Sequence, residues 1–470
     1  MQSQHSVCAK KGFIMNEKLD MSKGAIWVQM IRFVIPIILL GFLQQFFNVA
    51  DVILAGRLGT SGDSAVAAVG STNSIRILLV NFFSGCATGS AVAISHAIGS
   101  KDKKAIKQNV HTAMLLSVII GVIVTVVGMT LSGALLTAMG TPSDILGKST
   151  IYLQTYFLTM IPATIYNFGA GILRANGETK KPFYFFLVTA PVKLIMTYVF
   201  VALFDLDLIG LSLATVCSQT LAAILVVMAL MRRDDDIKLS LKDLKIYKEP
   251  LGKILRLGIP AGIQSSTFSL SNVVIQSSIN SLANLPGFIT GNAAASSIEA
   301  FAEVVTGGFL STAMTFVGYN VGAKNYDKVK RSYNTSLILC TITVAALSAF
   351  VVIFAKPLLG LYITESEEAI AWGVVRIAFI FGPLIIQGVM DTTSGALSGL
   401  GISVSNAIIA LVGFCGLRIV WCLTVFQVEE YHTPQTLYII YPITWVIIAI
   451  LRYVLFWVVY KHQKKKLYQE

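Results

Sequence analysis

Residues 111–138 read HTAMLLSVIIGVIVTVVGMTLSGALLTA, without one Asp, Glu, Lys or Arg. A helix of about 20 such residues spans the hydrocarbon core of a bilayer. The segment just before it holds Lys101, Lys103, Lys104 and Lys107, the flank expected at a cytoplasmic membrane surface. The same pattern recurs along the whole chain. Apolar runs fall at 30–55, 66–97, 111–138, 149–173, 182–203, 207–231, 254–283, 289–321, 334–355, 369–397, 404–426 and 435–460. The expected fold is therefore an all-α integral membrane protein with twelve transmembrane helices. Spans two and eight are over-long, so part of each is expected to project from the membrane.

Composition agrees. Of 470 residues, 55% are hydrophobic and 13% charged, against about 25% charged in soluble proteins. Mean hydropathy is +0.73. A soluble enzyme, a disordered chain and a coiled coil are excluded. The net charge of +12 belongs to a membrane surface. The N-terminus, 98–110, 174–181, 232–256, 322–331 and the C-terminal tail hold 27 of the basic residues, and the opposite loops hold Arg57, Lys148 and Lys356. That bias places both termini in the cytoplasm of a plasma-membrane protein. The first apolar run is too long for a signal peptide, and Met15 and Met21 are alternative starts. Cys8, Cys86, Cys217, Cys340, Cys415 and Cys422 form no CxxC pair and read as small core residues.

The spans are two copies of one half. Ile35-Pro36 and Asn48-Val49 recur as Ile259-Pro260 and Asn272-Val273; Gly85, Gly99 and Lys101 recur as Gly308, Gly322 and Lys324; Gly171, Leu173 and Gly177 recur as Gly395, Leu397 and Gly401. The offset is 223 or 224 throughout. Six spans per copy is an even number, so the repeats are parallel, around an axis along the membrane normal. The chain divides into a cytoplasmic segment 1–25, an N-lobe 26–231, a linker 232–253, a C-lobe 254–460 and a tail 461–470. Such pairs of lobes hold substrate in a central cavity and rock around it.

The ordered motifs carry a resemblance. Asn48-Val-Ala-Asp51, Ala67-Ala-Val-Gly70, Ile98-Gly-Ser-Lys-Asp-Lys-Lys-Ala105, Phe316-Val-Gly-Tyr-Asn320 and Gly322-Ala-Lys-Asn-Tyr-Asp327, at repeat spacing, resemble the multidrug and toxic compound extrusion (MATE) family over residues 25–460. The resemblance implies a cation-driven exporter and places a coupling carboxylate at Asp51.

Ten ionisable residues lie inside spans: Arg32, Arg76, Lys193, Arg376, Arg418, Arg452, Asp51, Glu299, Glu303 and Asp391. Each costs about 2.5–3.5 kcal/mol at a lipid-facing bilayer centre, so most must face protein or water. Arg32 and Arg452 are expected to snorkel to the interface. Asp51, one turn beyond Asn48, is the expected cation-coupling carboxylate and a possible sodium ligand. On span five, Lys193 and Thr197 stand where the family pattern resembles Asn-x-x-x-Asp. Lys193 is either a structural partner of Asp51, or a built-in counterion or anchor for an anionic substrate group. Arg76 and Glu299 occupy equivalent repeat positions and either meet as a gate between lobes or pair within their own lobes. Gln264, Glu303, Gln387 and Asp391 complete the expected cavity or gate set; Arg376 and Arg418 have no evident partner. Pro36, Pro162, Pro191, Pro260, Pro383 and Pro442 are candidate hinges.

The expected function is secondary antiport: export of small organic compounds, cationic or amphipathic, driven by protons or sodium. No phosphate loop, HExxH or Ser-His-Asp spacing is present, so no enzyme, nucleic-acid or ATP-driven role is expected, and no cofactor beyond the coupling ion. A monomer is the expected unit. The alternative is a lipid-linked saccharide flippase, whose diphosphate Lys193, Arg76, Arg376 and Arg418 would hold. A passive channel or scaffold would leave Asp51 and Lys193 without purpose.

Overall fold

A computed structural model of the chain describes residues 21, 24–58, 62–363, 366–467 and 469; the side chains of 48–69, 71, 73 and 74 lie outside that description. The first lobe runs α1 (Ile26–Leu58), α2 (Gly62–Ser100), α3 (Lys103–Ala138), a fourth span in two pieces, α4 (Ser143–Phe157) and α5 (Met160–Ala175), then α6 (Lys180–Tyr198), extended by π-helical Val199–Leu203, and α7 (Asp207–Met231). The second runs α8 (Lys248–Asn280), α9 (Phe288–Gly322), α10 (Tyr326–Ile353), a short α11 (Ala355–Gly360) and a tenth span of α12 (Glu367–Phe381) and α13 (Leu384–Gly399). Next come α14 (Ser403–Ala410), passing through π-helical Leu411–Leu417 into α15 (Arg418–Leu423), and finally α16 (Pro434–Leu467). Twelve spans result, as the runs predict.

Eleven of these spans are long and apolar enough to cross a membrane when each bent pair counts as one. The twelfth, α8, carries Gln264, Ser269, Asn272 and Gln276. Gln264 turns toward protein, and Ser269, Asn272 and Gln276 border the cavity between the lobes, so none of the four faces lipid. The helix begins at Lys248, ahead of the apolar run at 254. Pro250 sits in its first turn, where a missing N–H costs nothing.

The duplication is visible in detail. The fourth span bends by 42° between Phe157 and Met160, and the tenth by 46° between Phe381 and Leu384. Pro162 and Pro383 stand at these breaks, whereas Pro36, Pro191, Pro260 and Pro442 lie inside continuous helices. Each break frees a carbonyl, and each lobe satisfies it alike. The Phe157 carbonyl accepts from the Thr125 hydroxyl at 2.9 Å, and the Phe381 carbonyl accepts from the Ser348 hydroxyl.

Each lobe buries its own core. Ile94, Val110, Phe168, Ile172 and Val226 pack in the first, and Phe288, Phe381, Phe426, Trp445 and Ile448 in the second. The lobes meet where α2 lies along α8 and α1 along α9. An even number of spans puts both ends of the described chain on one face, the basic face, with the lysine-rich loops.

The linker belongs to the first lobe. Ile237 and Leu239 are buried in its core. The Ser240 N–H donates to Nε2 of His111 at 3.1 Å, and the Tyr247 N–H donates to Oγ1 of Thr112 at 3.1 Å. Nδ1 of His111 lies 2.7 Å from the Lys107 carbonyl, so Nδ1 carries the proton and Nε2 is free to accept. Arg233 pairs with Glu178 at 2.5 Å and with Asp235 at 2.6 Å, and Lys107 pairs with Asp243 at 2.8 Å.

Candidate functional site

Away from the basic face the lobes part around a cavity of about 1370 Å³. One wall is apolar: Ile123, Val127, Leu131 and Leu135, at four-residue spacing along α3. The opposite wall is polar: Ser269, Asn272, Gln276 and Asn280, one face of α8. Glu299 and Glu303 of α9 border the same space with Arg376 and Tyr441. At its inner end Nδ2 of Asn81 donates to Oγ of Ser269 across the lobes at 2.8 Å.

Charge is concentrated in the second lobe. Arg376 is 5% exposed and donates to Oε2 of Glu299 and to Oδ1 of Asn292, both at 2.6 Å. The Tyr438 hydroxyl donates to the same Asn292 oxygen at 3.0 Å. Short, charge-assisted bonds of this kind are the strong ones. Arg418 stacks on Tyr441 with 4.5 Å from its guanidinium carbon to the ring centroid and lies 3.4 Å from the hydroxyls of Thr444 and Ser271. Asp391 lies in the field of Arg452. Glu303 lies in the field of Glu299, Asp391, Arg376 and Arg418, but its carboxylate bonds to none of them. Three acids thus face three guanidinium groups inside this lobe.

The expected site residues are distributed as follows. Glu299 and Glu303 border the cavity. Arg76 does not meet Glu299: it donates to the Tyr152 hydroxyl at 3.1 Å and stacks on Tyr156 in its own lobe, while Glu299 takes Arg376 in the other. Gln264 donates to Ser394 at 2.9 Å, and Asn406 donates to that same hydroxyl, which ties α8, α13 and α14. Gln387 is buried on α13, one turn from Asp391. Arg452 does not snorkel. It is 1% exposed and donates to the Met390 carbonyl at 3.4 Å, because it stands midway along α16, far from either end, in the field of Asp391. Lys193 is half-buried and Thr197 buried on α6, which packs beside α1 through Phe186 against Phe47. Asn48 and Asp51 stand on α1 with side chains outside the described residues. Asn292 and Tyr438 were not expected at the site. A charge count held the clue, since three buried arginines in one half require acids there.

The sequence model of the family described as MatE matches residues 36–199 and 260–424, one stretch in each lobe. The chain belongs to the MatE family. This MATE transporter is 28% identical over 357 residues to the probable multidrug resistance protein YoeA of Bacillus subtilis (strain 168), covering 74% of this chain and 75% of the other. It is 20% identical over 390 residues to the multidrug export protein MepA of Staphylococcus aureus (strain NCTC 8325 / PS 47), covering 83% and 85%. Its fold is that of a MOP superfamily transporter from Pyrococcus furiosus, described as having a binding pocket of reverse polarity (TM-score 0.87, 19% identity, 96% and 99% covered). An outward-facing multidrug resistance MATE transporter is similar at a TM-score of 0.85, 19% identity and the same coverage. The MATE fold is a transporter's, not an enzyme's, and the multi-pass chain resides in a membrane.

Proposed function

We propose that this MATE transporter exports small organic cations or amphipathic compounds by antiport against protons or sodium, and that Glu303 is the coupling carboxylate of the C-lobe. The observation that carries this is the Glu303 carboxylate on the cavity, without a hydrogen-bonded partner among the described residues. Glu299 cannot take a proton without breaking its pair with Arg376; Glu303 can. With Glu303 ionised, the charges inside the lobe balance and the cavity offers a carboxylate to a cationic guest. With Glu303 protonated, the lobe carries one excess positive charge and repels that guest. At about 5 Å and an effective dielectric of about 20, one charge pair contributes about 3 kcal/mol, near a hundredfold in affinity. Competition of that size drives exchange between two states of a cavity.

Asp51, grouped with Asn48, Lys193 and Thr197 by the family pattern, is the second coupling position, in the N-lobe. The apolar α3 wall and the polar α8 wall suit an amphipathic guest. Arg376 and Arg418 are engaged by Glu299 and Tyr441, which weighs against a diphosphate-binding flippase. The loop bias places the basic face in the cytoplasm of the plasma membrane, so the described state opens outward. Each chain encloses its own cavity, and the monomer is the working unit. Transport by purified protein in liposomes, with proton and sodium gradients imposed separately, is the test. Glu303→Gln is expected to stay folded and lose gradient-driven exchange while still binding substrate. Unimpaired exchange would move the coupling to Asp51 or Asp391.

A further inference from the structure

We infer that Gly99 and Gly322, with the His96–Gly399 hydrogen bond, form the closing element of a gate on the basic face. The two lobes approach there backbone to backbone. The C-terminal ends of α2 and α9 cross around the pseudo-twofold axis. A Cβ at Gly99 would collide with the Tyr319 carbonyl oxygen, and a Cβ at Gly322 would collide with the His96 carbonyl oxygen. Gly99 and Gly322 are equivalent in the two repeats, and so are His96 and Tyr319. The contact is therefore made twice, each lobe giving a glycine to the carbonyl of the other. A glycine inside a helix is destabilising against alanine. Two of them at one crossing are explained by the close approach they permit.

The seam continues from this crossing toward the cavity. A Cβ at Gly89 would meet the backbone of Gly258, and one at Gly85 the backbone of Ala261 and Gly262. The Cys86 thiol sits beside Gly262 and is 7% exposed. A directional bond crosses the seal: Nε2 of His96, on α2, donates to the carbonyl of Gly399, the last residue of α13, at 2.7 Å. This bond must break whenever the face opens.

The inference rests on alternating access, in which the seam opens once per cycle, so its test reads the seam apart from transport. Native Cys86 is the reporter. The full-length protein in liposomes is treated with N-ethylmaleimide, and alkylation is followed by mass spectrometry. Cys340 and Cys422, buried in the second lobe, report on the integrity of the fold. Gly99→Ala and Gly322→Ala should each hold the face open. Cys86 should then alkylate about tenfold faster, the change given by about 1.4 kcal/mol between sealed and open states, with Cys340 unchanged and transport lost. Gly307→Ala, where a Cβ meets open space, should match the unchanged protein. Faster Cys86 with full transport would uphold the seam and overturn alternating access as its purpose. Unchanged Cys86 in both folded alanine variants would overturn the seam. Should Cys340 react faster as well, the fold has loosened, and His96→Ala, which adds no bulk, decides. Faster Cys86 alone in that variant upholds the latch, and an unchanged rate overturns it.

Discussion

Arg376 shows how a membrane interior tolerates a full charge. Its guanidinium meets a carboxylate, an amide oxygen and two tyrosine rings, so water is replaced on several sides. Removing one member of a buried pair costs about 3–5 kcal/mol, because the other is stranded. Arg376→Ala should therefore lower thermal stability in detergent sharply, and Arg376→Ala with Glu299→Gln should recover much of it. A double-mutant cycle with coupling below about 0.5 kcal/mol would deny the pair. The same cycle applied to Lys193→Asn and Asp51→Asn decides whether those two are partners: strong coupling supports a structural pair, and additive losses leave Lys193 to the cavity. Glu299 and Glu303, which border the cavity, were legible as candidates, since an acid amid apolar neighbours needs a reason. Their partners were not, because Arg376 lies 77 residues from Glu299 and a one-dimensional reading has no measure of which helix faces which.

At the scale of elements the two repeats agree in their bends and differ in their seams. Thr125 and Ser348 perform one task, donating to the carbonyl that each broken span exposes. A buried carbonyl left without a donor costs about 1–3 kcal/mol. Thr125→Val and Ser348→Ala should each destabilise by that amount, read as a lowered midpoint of thermal unfolding; a neutral pair would mean that the bent spans satisfy themselves. The seams differ because α8 carries Gly258 and Gly262 at the repeat positions of Val34 and Ile38 on α1. Gly308 accordingly meets the side chains of Ile38 and Val34, whereas Gly85 meets the backbone of α8. The α2–α8 contact is tighter than its counterpart, which leaves the molecule only roughly twofold.

For the whole molecule, the linker joins the two lobes along the chain but is held by one of them. Tying it there should cost nothing. A short bismaleimide cross-link between Lys107→Cys and Asp243→Cys, whose side chains meet in the unchanged protein, is expected to leave transport intact, and loss of transport on cross-linking would show that the linker must detach. Burial pushes the Glu178 carboxyl up, but Arg233 and Lys181 outweigh this and hold it below the ordinary carboxylate value. Its contribution is complete above that value and is lost as pH falls through the lowered one, so linker docking should be steady between about pH 5 and 8 and weaken in acid. Exchange of the linker amides for deuterium, followed against pH, checks this. Topology is checked separately: labels at 234–248 and after Glu470 should be cytoplasmic, and labels at 205–207 and 429–433 external.

Twelve spans, the duplication and the basic face follow from the sequence by itself. Bilayer thickness dictates run length, and a constant offset needs no coordinates to be seen. The sequence also marks which groups cannot face lipid, because an ionisable residue in an apolar run carries its cost wherever the helix turns. What those groups touch was decided only by tertiary structure. Arg76 and Glu299 have equivalent positions yet opposite partners, since Tyr152 and Arg376 approach from other spans. Arg452 reads as close to a cytoplasmic end in the sequence, but α16 continues to Leu467 and leaves it mid-helix, buried in the field of Asp391 on α13. Gly99 and Gly322 were visible as a repeated pair. That each admits the other's carbonyl depends on two helix ends crossing, and a crossing is a property of packing that neither helix encodes alone.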